Sequence, residues 1–263
     1  MRRARLAELV RANVGHESNE LFWGTPGTAR AARVMLERTR EERWRAAWLE
    51  SADQIWSEWG RDQEYPLLWA QRLHGRTVHA LGPAHGFAGN VVVLRQGLDA
   101  ERASELERRV RTATADWAQL EHGLANWPPA PEPPRTEGQK VRVQWCHGAP
   151  GMVASLAGLM DDELALAGGE LTWRAGPLGK GGGLCHGTAG NGYAFLKLFR
   201  HTGDEGWLVR ARAFAMHALA QVEAARERFG RGRYSLWTGD VGTSIYALDC
   251  IDGRAEVPIL DVF

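Results

Sequence analysis

The chain has 263 residues, and its 32 Lys and Arg balance 32 Asp and Glu, so the formal net charge is zero. This balance gives no electrostatic reason to expect a nucleic acid or an anionic membrane surface as a partner. Hydrophobic residues make up 44% of the sequence, which is enough for a sizeable core. No apolar run is long enough for a transmembrane helix, and three cysteines are too few for a disulfide framework. We therefore expect a cytoplasmic protein without membrane spans.

Helical periodicity dominates the sequence. In residues 28–58, 101–122 and 204–229, apolar residues recur at steps of three and four, the spacing of a helix that buries one face. Short strand candidates occur at Val91–Leu94 and Val141–Trp145. The pattern predicts a mostly α-helical protein.

Five prolines interrupt the helical pattern in residues 127–140. Because proline lacks an amide donor and disfavours helix at the residue before it, this segment is predicted to be an extended surface loop. A domain linker would have a similar composition. The glycine repeat described next continues across the segment, however, so we interpret residues 1–263 as one domain.

A G-x-x-G pattern occurs five times, each time before small and apolar residues. The pairs are Gly24/Gly27, Gly86/Gly89, Gly148/Gly151, Gly187/Gly190 and Gly239/Gly242. Successive pairs are separated by roughly the length of a helical hairpin with its loops, which predicts a helical repeat architecture. We interpret the glycines as tight turns that let helix N-termini approach one another, with free amides that favour nearby anions.

Two of the five turns carry cysteines, within WCHG (145–148) and LCHG (184–187). Cys146, Cys185 and His186 together would make a Cys₂His ligand set with an open fourth position, as in catalytic zinc sites. Two thiolates and one imidazole favour Zn²⁺ over magnesium or calcium. The alternative is a pair of small buried cysteines at helix starts.

Motifs along the chain resemble those of the lanthionine synthetase C-like (LanC-like) family. They are ELFWGTPG (20–27), AHGFAG (84–89), WCHGAPG (145–151), GLCHGTAGNGYAFL (183–196) and SLWTGDVGTSIYAL (235–248), in family order. The resemblance extends from residue 20 to residue 263. It implies an all-α fold, an α/α toroid whose inner helices begin at the G-x-x-G turns.

The resemblance also implies a chemistry. Zinc, held by the residues that match Cys146, Cys185 and His186, activates a thiol for addition to dehydroalanine or dehydrobutyrine in a peptide, which gives a thioether. His85 matches the family's acid/base histidine, and an imidazole is suited to proton transfer near neutral pH. Glu20 lies where cyclases carry an acidic partner, so we expect it to orient or charge His85.

Three further residues lie at positions that the resemblance makes interesting. Arg142 lies where cyclases place an arginine that could stabilise the enolate, although an ordinary solvated arginine fits equally well. His147 follows the first cysteine, as in eukaryotic relatives. Lys180 lies in a region where glutathione-adding relatives have a basic residue that contacts the tripeptide, and a flexible surface loop is the alternative. We expect His147 and Lys180 to bind substrate.

The chain has about two fewer G-x-x-G turns than the family's toroid normally has. The absent hairpins would precede Glu20, and their absence is expected to expose apolar helix faces. A truncated gene or wrongly assigned start, a natural short form, and completion by another chain each explain this. The third explanation predicts a homo-oligomer or a partner chain.

The leading hypothesis is zinc-dependent thioether formation on a dehydrated peptide. The thiol is supplied either by the same peptide, which gives a ring, or by a small thiol such as glutathione. The alternative is a non-catalytic scaffold that binds zinc or thiols and regulates a partner. Related helical toroids include glycosidases, which need paired carboxylates, and Asp161 and Asp162 are the acidic pair nearest to a motif.

Overall fold

The computed structural model describes residues 2–131 and 142–262, apart from the side chain of Arg2. The helices in these ranges are α1 (Arg2–Ala12), α2 (Thr25–Thr39), α3 (Glu42–Glu58), α4 (Phe87–Leu94), α5 (Ala100–Asp116), α6 (Ala149–Leu156), α7 (Asp162–Ala175), α8 (Thr188–Thr202), α9 (Glu205–Phe229) and α10 (Asp240–Asp252). The strands are β1 (Gln71–Leu73), β2 (Arg76–Val78), β3 (Gln119–Glu121) and β4 (Leu124–Asn126). The prediction of a mostly α-helical protein is confirmed.

The helices form an inner and an outer layer. The helices that begin at G-x-x-G turns are α2, α4, α6, α8 and α10, and each packs against the next. Outside them, α3 packs on α2 and α4, α7 packs on α6 and α8, and α9 packs on α8 and α10. Every residue of α4 and of α6 is buried, because apolar side chains surround these helices on all sides.

Each G-x-x-G motif marks a close contact between a helix and the loop that precedes it. A Cβ atom on the second glycine of each pair would lie 1.7–2.2 Å from the carbonyl oxygen of the residue six positions earlier. The same loops supply hydrogen-bond acceptors: Phe87 N donates to Ala80 O, Thr188 N to Gly181 O, and Asp240 N to Arg233 O. The first amide of each of α4, α8 and α10 is therefore not free to attract an anion.

The loops before the inner helices meet at one end of the helical layer, which we call the turn end. Glu20 bonds His85, the Cys146 amide donates to the Cys185 carbonyl, and the Cys185 amide donates to the Trp237 carbonyl. Phe22 packs edge-on against Trp237, with ring centroids 5.4 Å apart, so the first turn contacts the last. Gly82, in the loop before α4, lies against the Cys146 carbonyl. The five turns thus contact one another in a closed circuit.

A second set of contacts joins the inner helices through the segment after α10. The Asp261 carboxylate accepts from Arg95 at 2.9 Å and from Lys197 at 2.8 Å. Arg30 of α2 donates to the Ile259 and Asp261 carbonyls. These contacts connect α2, the end of α4 and α8, and the Asp261 side chain is only 10% exposed.

Several predicted boundaries differ from those of the structure. Residues 28–58 contain two helices, because Arg40 adopts a left-handed conformation after α2. The helix predicted at 101–122 ends at Asp116, and Val91–Leu94 belongs to α4 instead of a strand. For Val141–Trp145, Val141 lies outside the described residues, and the rest forms no strand beyond a bridge from Gln144 to His147.

The two β-hairpins were not predicted from the sequence. Each turns at a His-Gly pair with positive φ at both residues, His74-Gly75 and His122-Gly123, which is the geometry of a type I′ turn. Asn-Gly is the usual signal for this turn, so His-Gly did not stand out. Of the proline-rich loop, residues 132–140 lie outside the described residues. No helix in the described ranges is long and apolar enough to cross a membrane.

The G-x-x-G contact gives a stability prediction. Gly27→Ala places a Cβ atom 2.0 Å from the Leu21 carbonyl. Because both partners are backbone, we expect the free energy of unfolding to fall by about 2 kcal/mol or more, measured by urea denaturation. Gly179→Ala is the control, since no atom lies within 4 Å of its Cβ position. Equal stability of the two variants would contradict this account of the motif.

The Asp261 contacts give a second prediction. Asp261→Ala leaves the Arg95 and Lys197 cations without this carboxylate. The free energy of unfolding should therefore fall by about 3 kcal/mol. Asp53→Ala removes an exposed ion pair with Arg102 and should change stability by less than about 1 kcal/mol. Thermal and urea unfolding measure both variants. A loss for Asp261→Ala no greater than that for Asp53→Ala would show that the contacts do not stabilise the fold.

Candidate metal centre and active site

Three side chains at the turn end form a cluster that could hold a metal ion. One ligand atom from each of Cys146, Cys185 and His186 lies within 4.8 Å of the others. In a tetrahedral zinc site with Zn–S and Zn–N distances of about 2.3 and 2.0 Å, ligand atoms are about 3.3–3.8 Å apart. Small side-chain rotations would bring this cluster to that geometry. The structure therefore brings together the three residues that the sequence predicted as ligands.

Local hydrogen bonds, burial and charges shift the pKa values of all three side chains. The hydrogen bond with the Cys185 thiol lowers the pKa of Cys146 to about 7, although burial acts in the opposite direction. The same hydrogen bond, followed by burial, raises the pKa of Cys185. Burial, with the nearby charges of Lys180 and Arg233, lowers the pKa of His186. Cys146 is thus the more readily ionised thiol, and His186 is neutral at pH 7, as a ligand must be.

Gln144 is a residue of this cluster that sequence reasoning missed. Its side-chain amide donates to Cys146 Sγ at 3.1 Å, and its carbonyl oxygen accepts from Lys180 Nζ at 2.9 Å. Two successive hydrogen bonds thus connect Lys180, the predicted substrate-binding lysine, to Cys146 through the side-chain amide of Gln144. A donor to sulfur stabilises the thiolate. The one sequence signal for Gln144 as a member of this cluster is its position two residues before Cys146.

The donor set and its surroundings fit a zinc ion. Two thiols and a neutral imidazole are the ligands that Zn²⁺ prefers, and three protein ligands leave one position for a substrate. The three cysteines of the chain are free, so Cys146 and Cys185 are available for ligation. Cys250 is buried, and it is not part of the cluster.

His85 and Glu20 form a dyad beside this cluster. His85 Nδ1 lies 2.8 Å from Glu20 Oε2, and the Glu20 side chain is fully buried. The carboxylate also accepts the backbone amides of Phe22 and Trp23 at 2.9 and 2.5 Å. Because an ionised carboxylate is an acceptor only, Nδ1 of His85 donates to it, which leaves Nε2 as the nitrogen available to a substrate.

Aromatic side chains and a cavity surround the dyad. Trp23 stacks on the His85 ring at 5.3 Å, and Phe22 approaches it at 5.5 Å. A cavity of about 250 Å³ is lined by His85, His147 and several apolar side chains. Burial lowers the pKa of His147 to about 4, with smaller contributions from the charges of Arg142 and His85. His147 is therefore neutral at pH 7, and it faces the cavity that the candidate acid/base also lines.

Arg142 lies at the surface near this cavity. Its backbone carbonyl accepts from Asn126, and within residues 2–131 and 142–262 its guanidinium has no described hydrogen bond or ion pair. Its charge reaches His147, as the lowered pKa of that residue shows. The structure thus places Arg142 close to the site without direct contact with its other members.

Comparison with known proteins identifies a matching family and similar chains. The family model described as lanthionine synthetase C-like protein matches residues 4–262. A zebrafish (Danio rerio) protein named glutathione S-transferase LANCL1 is 33% identical over 200 residues, which cover 69% of this chain and 46% of that protein. The LanC-like protein GCL1 of Arabidopsis thaliana is 36% identical over 163 residues, which cover 58% of this chain and 34% of that protein.

The structure of nisin cyclase is similar to this one. The TM-score is 0.64 at 15% sequence identity, over 94% of this chain and 68% of nisin cyclase. This similarity confirms the predicted helical toroid fold. The chain spans less than half of the length of both curated relatives. Because the family model matches almost the whole sequence, the chain belongs to the lanthionine synthetase C-like family.

Proposed function

We propose that this protein is a zinc-dependent enzyme that adds a thiol to dehydroalanine or dehydrobutyrine in a peptide. The observation that carries the proposal is that two groups of reactive side chains lie at the turn end of the fold. The Cys146–Cys185–His186 cluster could hold a metal ion, and the hydrogen-bonded His85–Glu20 dyad could move protons. A cavity is lined by His85 of the dyad and by His147, the neighbour of Cys146.

Cys146, Cys185 and His186 would hold the zinc ion. When bound, zinc supplies Lewis acidity that makes a substrate thiol a thiolate at neutral pH. Gln144 fixes the orientation of Cys146 through its hydrogen bond to sulfur. Lys180 in turn holds Gln144, so its part in the proposal includes positioning as well as substrate contact.

His85 would hold and move the proton. The sulfur forms a bond with the β-carbon of the dehydroamino acid, the carbon–carbon π bond breaks, and negative charge develops on the enolate. The proton released by the thiol is then returned at the α-carbon, so the addition is balanced without any other reactant. His85 Nε2 is the nitrogen available for this transfer, and Glu20 stabilises the imidazolium form.

Arg142 and His147 complete the proposed site. A guanidinium with no described ion pair could move to the enolate oxygen, where it would stabilise the developing charge. His147 presents a neutral imidazole whose Nδ1 is buried without a hydrogen-bond partner in the described structure. A hydrogen bond from a ligand would stabilise this buried atom, which supports the prediction that His147 contacts the substrate.

The identity of the thiol belongs to the same proposal. A cavity of about 140 Å³ lies against His186, and its lining includes the cations Lys180 and Arg233. Asp240 also lines it, but its carboxylate accepts the Arg233 amide. Two cations beside the metal ligands suit a small thiol with carboxylates, such as glutathione, and one similar protein is named a glutathione S-transferase. Addition of a cysteine from the same peptide is the second candidate.

Other parts of the sequence interpretation remain proposals. We treat residues 1–263 as one domain in the cytoplasm, where a reducing environment keeps thiolate ligands and a thiol substrate free. Apolar side chains of α9 and α10 are exposed, which supports the predicted contact with a second copy or another chain. The most exposed of these are Val209, Met216, Phe229 and Ile251.

The non-catalytic alternative would use the same metal ligands without proton transfer. The glycosidase alternative loses its support, because Asp161 and Asp162 pair with Arg111 and His201 at the surface. The direct test is addition of glutathione to a dehydroalanine peptide by the zinc-loaded protein, followed by mass spectrometry. A zinc-loaded, folded protein that forms no thioether with glutathione or with a peptide cysteine would contradict the enzyme proposal.

The metal content of the protein depends on the three proposed ligands. We expect about one zinc per chain in the purified protein and almost none in Cys185→Ala, because two remaining ligands bind zinc weakly. Cys250→Ala is the matched control, since it removes a buried thiol outside the cluster and should keep its zinc. Elemental analysis measures all three proteins. Equal zinc in the two variants would contradict the assignment of ligands.

The dyad gives the second prediction. His85→Ala should lower the rate of thiol addition at least about 100-fold, and Glu20→Gln at least about tenfold, while both keep their zinc. His201→Ala is the control, because it breaks a similar histidine–carboxylate contact of 2.7 Å at the surface and should leave the rate unchanged. Single-turnover assays separate the chemical step from binding. A His85→Ala rate equal to that of the control would rule out proton transfer by His85.

A further inference from the structure

Two large aromatic side chains of the first turn, Phe22 and Trp23, are exposed to solvent although they contact other side chains of the site. Trp23 is 52% exposed and Phe22 is 38% exposed, although both contact the ring of His85. Their backbone amides bond the buried Glu20 carboxylate, which fixes this turn in place. Large aromatic side chains that are held rigidly beside a reactive group and remain open to solvent are typical of ligand contacts.

Trp23 lies between two cavities. The cavity of about 250 Å³ described above contains His85 and His147. A cavity of about 730 Å³ lies on the other side of Trp23, towards α1, where Leu9, Phe22 and Arg72 contribute to its lining. Both cavities share Trp23, Leu73 and His74 in their walls. We call these two adjoining cavities together the Trp23 groove, which has His85 at one end and Leu9 of α1 at the other.

We propose that the Trp23 groove binds the acceptor peptide. The dehydroamino acid would occupy the small cavity beside His85, and the adjoining residues would extend across Trp23 into the larger cavity. This inference rests on the proposed function, which requires a peptide residue next to His85. The volume of the larger cavity is in the range of typical ligand sites, and its walls are mainly apolar, so it suits apolar side chains next to the dehydroamino acid.

The polar groups of the groove favour a neutral or acidic peptide. Among its described lining residues, Arg72 is a cation and none is a carboxylate. Glu17, which approaches Arg72 to 3.7 Å, does not line either cavity. The buried, unpaired Nδ1 of His147 offers a hydrogen bond to the peptide backbone. A peptide with lysines on both sides of the dehydroamino acid is therefore disfavoured.

The groove lies apart from the cavity beside His186. That cavity is lined by the glycines before α8, by Lys180 and by residues of α9 and of the last turn. The Trp23 groove is built from α1, the first turn, the β1–β2 hairpin and the segment after β4. The peptide and a small thiol would thus approach the site from different directions. Changes in the groove should weaken peptide binding and leave thiol binding unaltered.

Equilibrium binding of an unreactive peptide tests the inference without catalysis. The ligand is a short fluorescein-labelled peptide with Phe-Ala-Leu at its centre and glutamates outside, in which alanine replaces the dehydroamino acid. Trp23→Ala should weaken binding at least tenfold, measured by fluorescence anisotropy. Leu9→Ala should weaken it about threefold, at a position that does not contact His85. Leu120→Ala removes a comparably exposed apolar side chain outside the groove and should have no effect.

Kinetics with the reactive peptide supply the second readout. Trp23→Ala and Leu9→Ala should raise KM for the dehydroalanine peptide by factors similar to their loss of binding, while KM for glutathione changes less than twofold. A Trp23→Ala variant that lowers kcat alone would show that Trp23 only orients His85, and this would overturn the inference. Unchanged peptide binding in both groove variants would overturn it as well. A wild-type protein that binds the peptide but adds no thiol would contradict the proposed function and leave the groove intact.

Discussion

The contact between each G-x-x-G glycine and a loop carbonyl determines where all of the chemistry lies. Because no side chain fits between them, the loop must fold back on the first turn of its helix. The two residues just before the first glycine of each pair then project at the turn end. These pairs are Phe22–Trp23, Ala84–His85, Cys146–His147, Cys185–His186 and Trp237–Thr238. One backbone constraint, repeated five times, thus places aromatic, imidazole and thiol groups at the same end of the helical layer.

Buried polar groups join this backbone constraint to the site. Glu20 is fully buried, and such a carboxylate is stable only when its oxygens are hydrogen-bonded. Its partners are the amides of Phe22 and Trp23 and the ring of His85. The same group therefore holds the first turn in shape and orients an imidazole that belongs to the second. A carboxylate with this double role explains how two turns far apart in sequence keep a fixed distance.

The sequence predicted what depends on strong local patterns or on short motifs. Helical periodicity indicated the longer helices, and the two cysteine-containing turns indicated the ligand cluster before any contact was known. It did not predict Gln144, because an amide that bonds sulfur has no spacing rule. It did not single out Trp23 either, since exposure depends on the neighbours that the fold brings around a side chain. The hairpins at His74-Gly75 and His122-Gly123 were missed because histidine is an unusual residue at a left-handed turn position.

The third turn, which contains Cys146 and His147, contributes to both parts of the proposed site. Cys146 belongs to the ligand cluster on the side of α8, whereas its neighbour His147 lines the cavity on the side of α4. Because consecutive residues of a turn point in different directions, one peptide unit separates Cys146, a proposed metal ligand, from the cavity beside His85. A thiol bound near Cys146 and a peptide residue bound near His147 would then be separated by about the length of one residue. The reaction that we propose needs such proximity between sulfur and β-carbon more than it needs any further catalytic group.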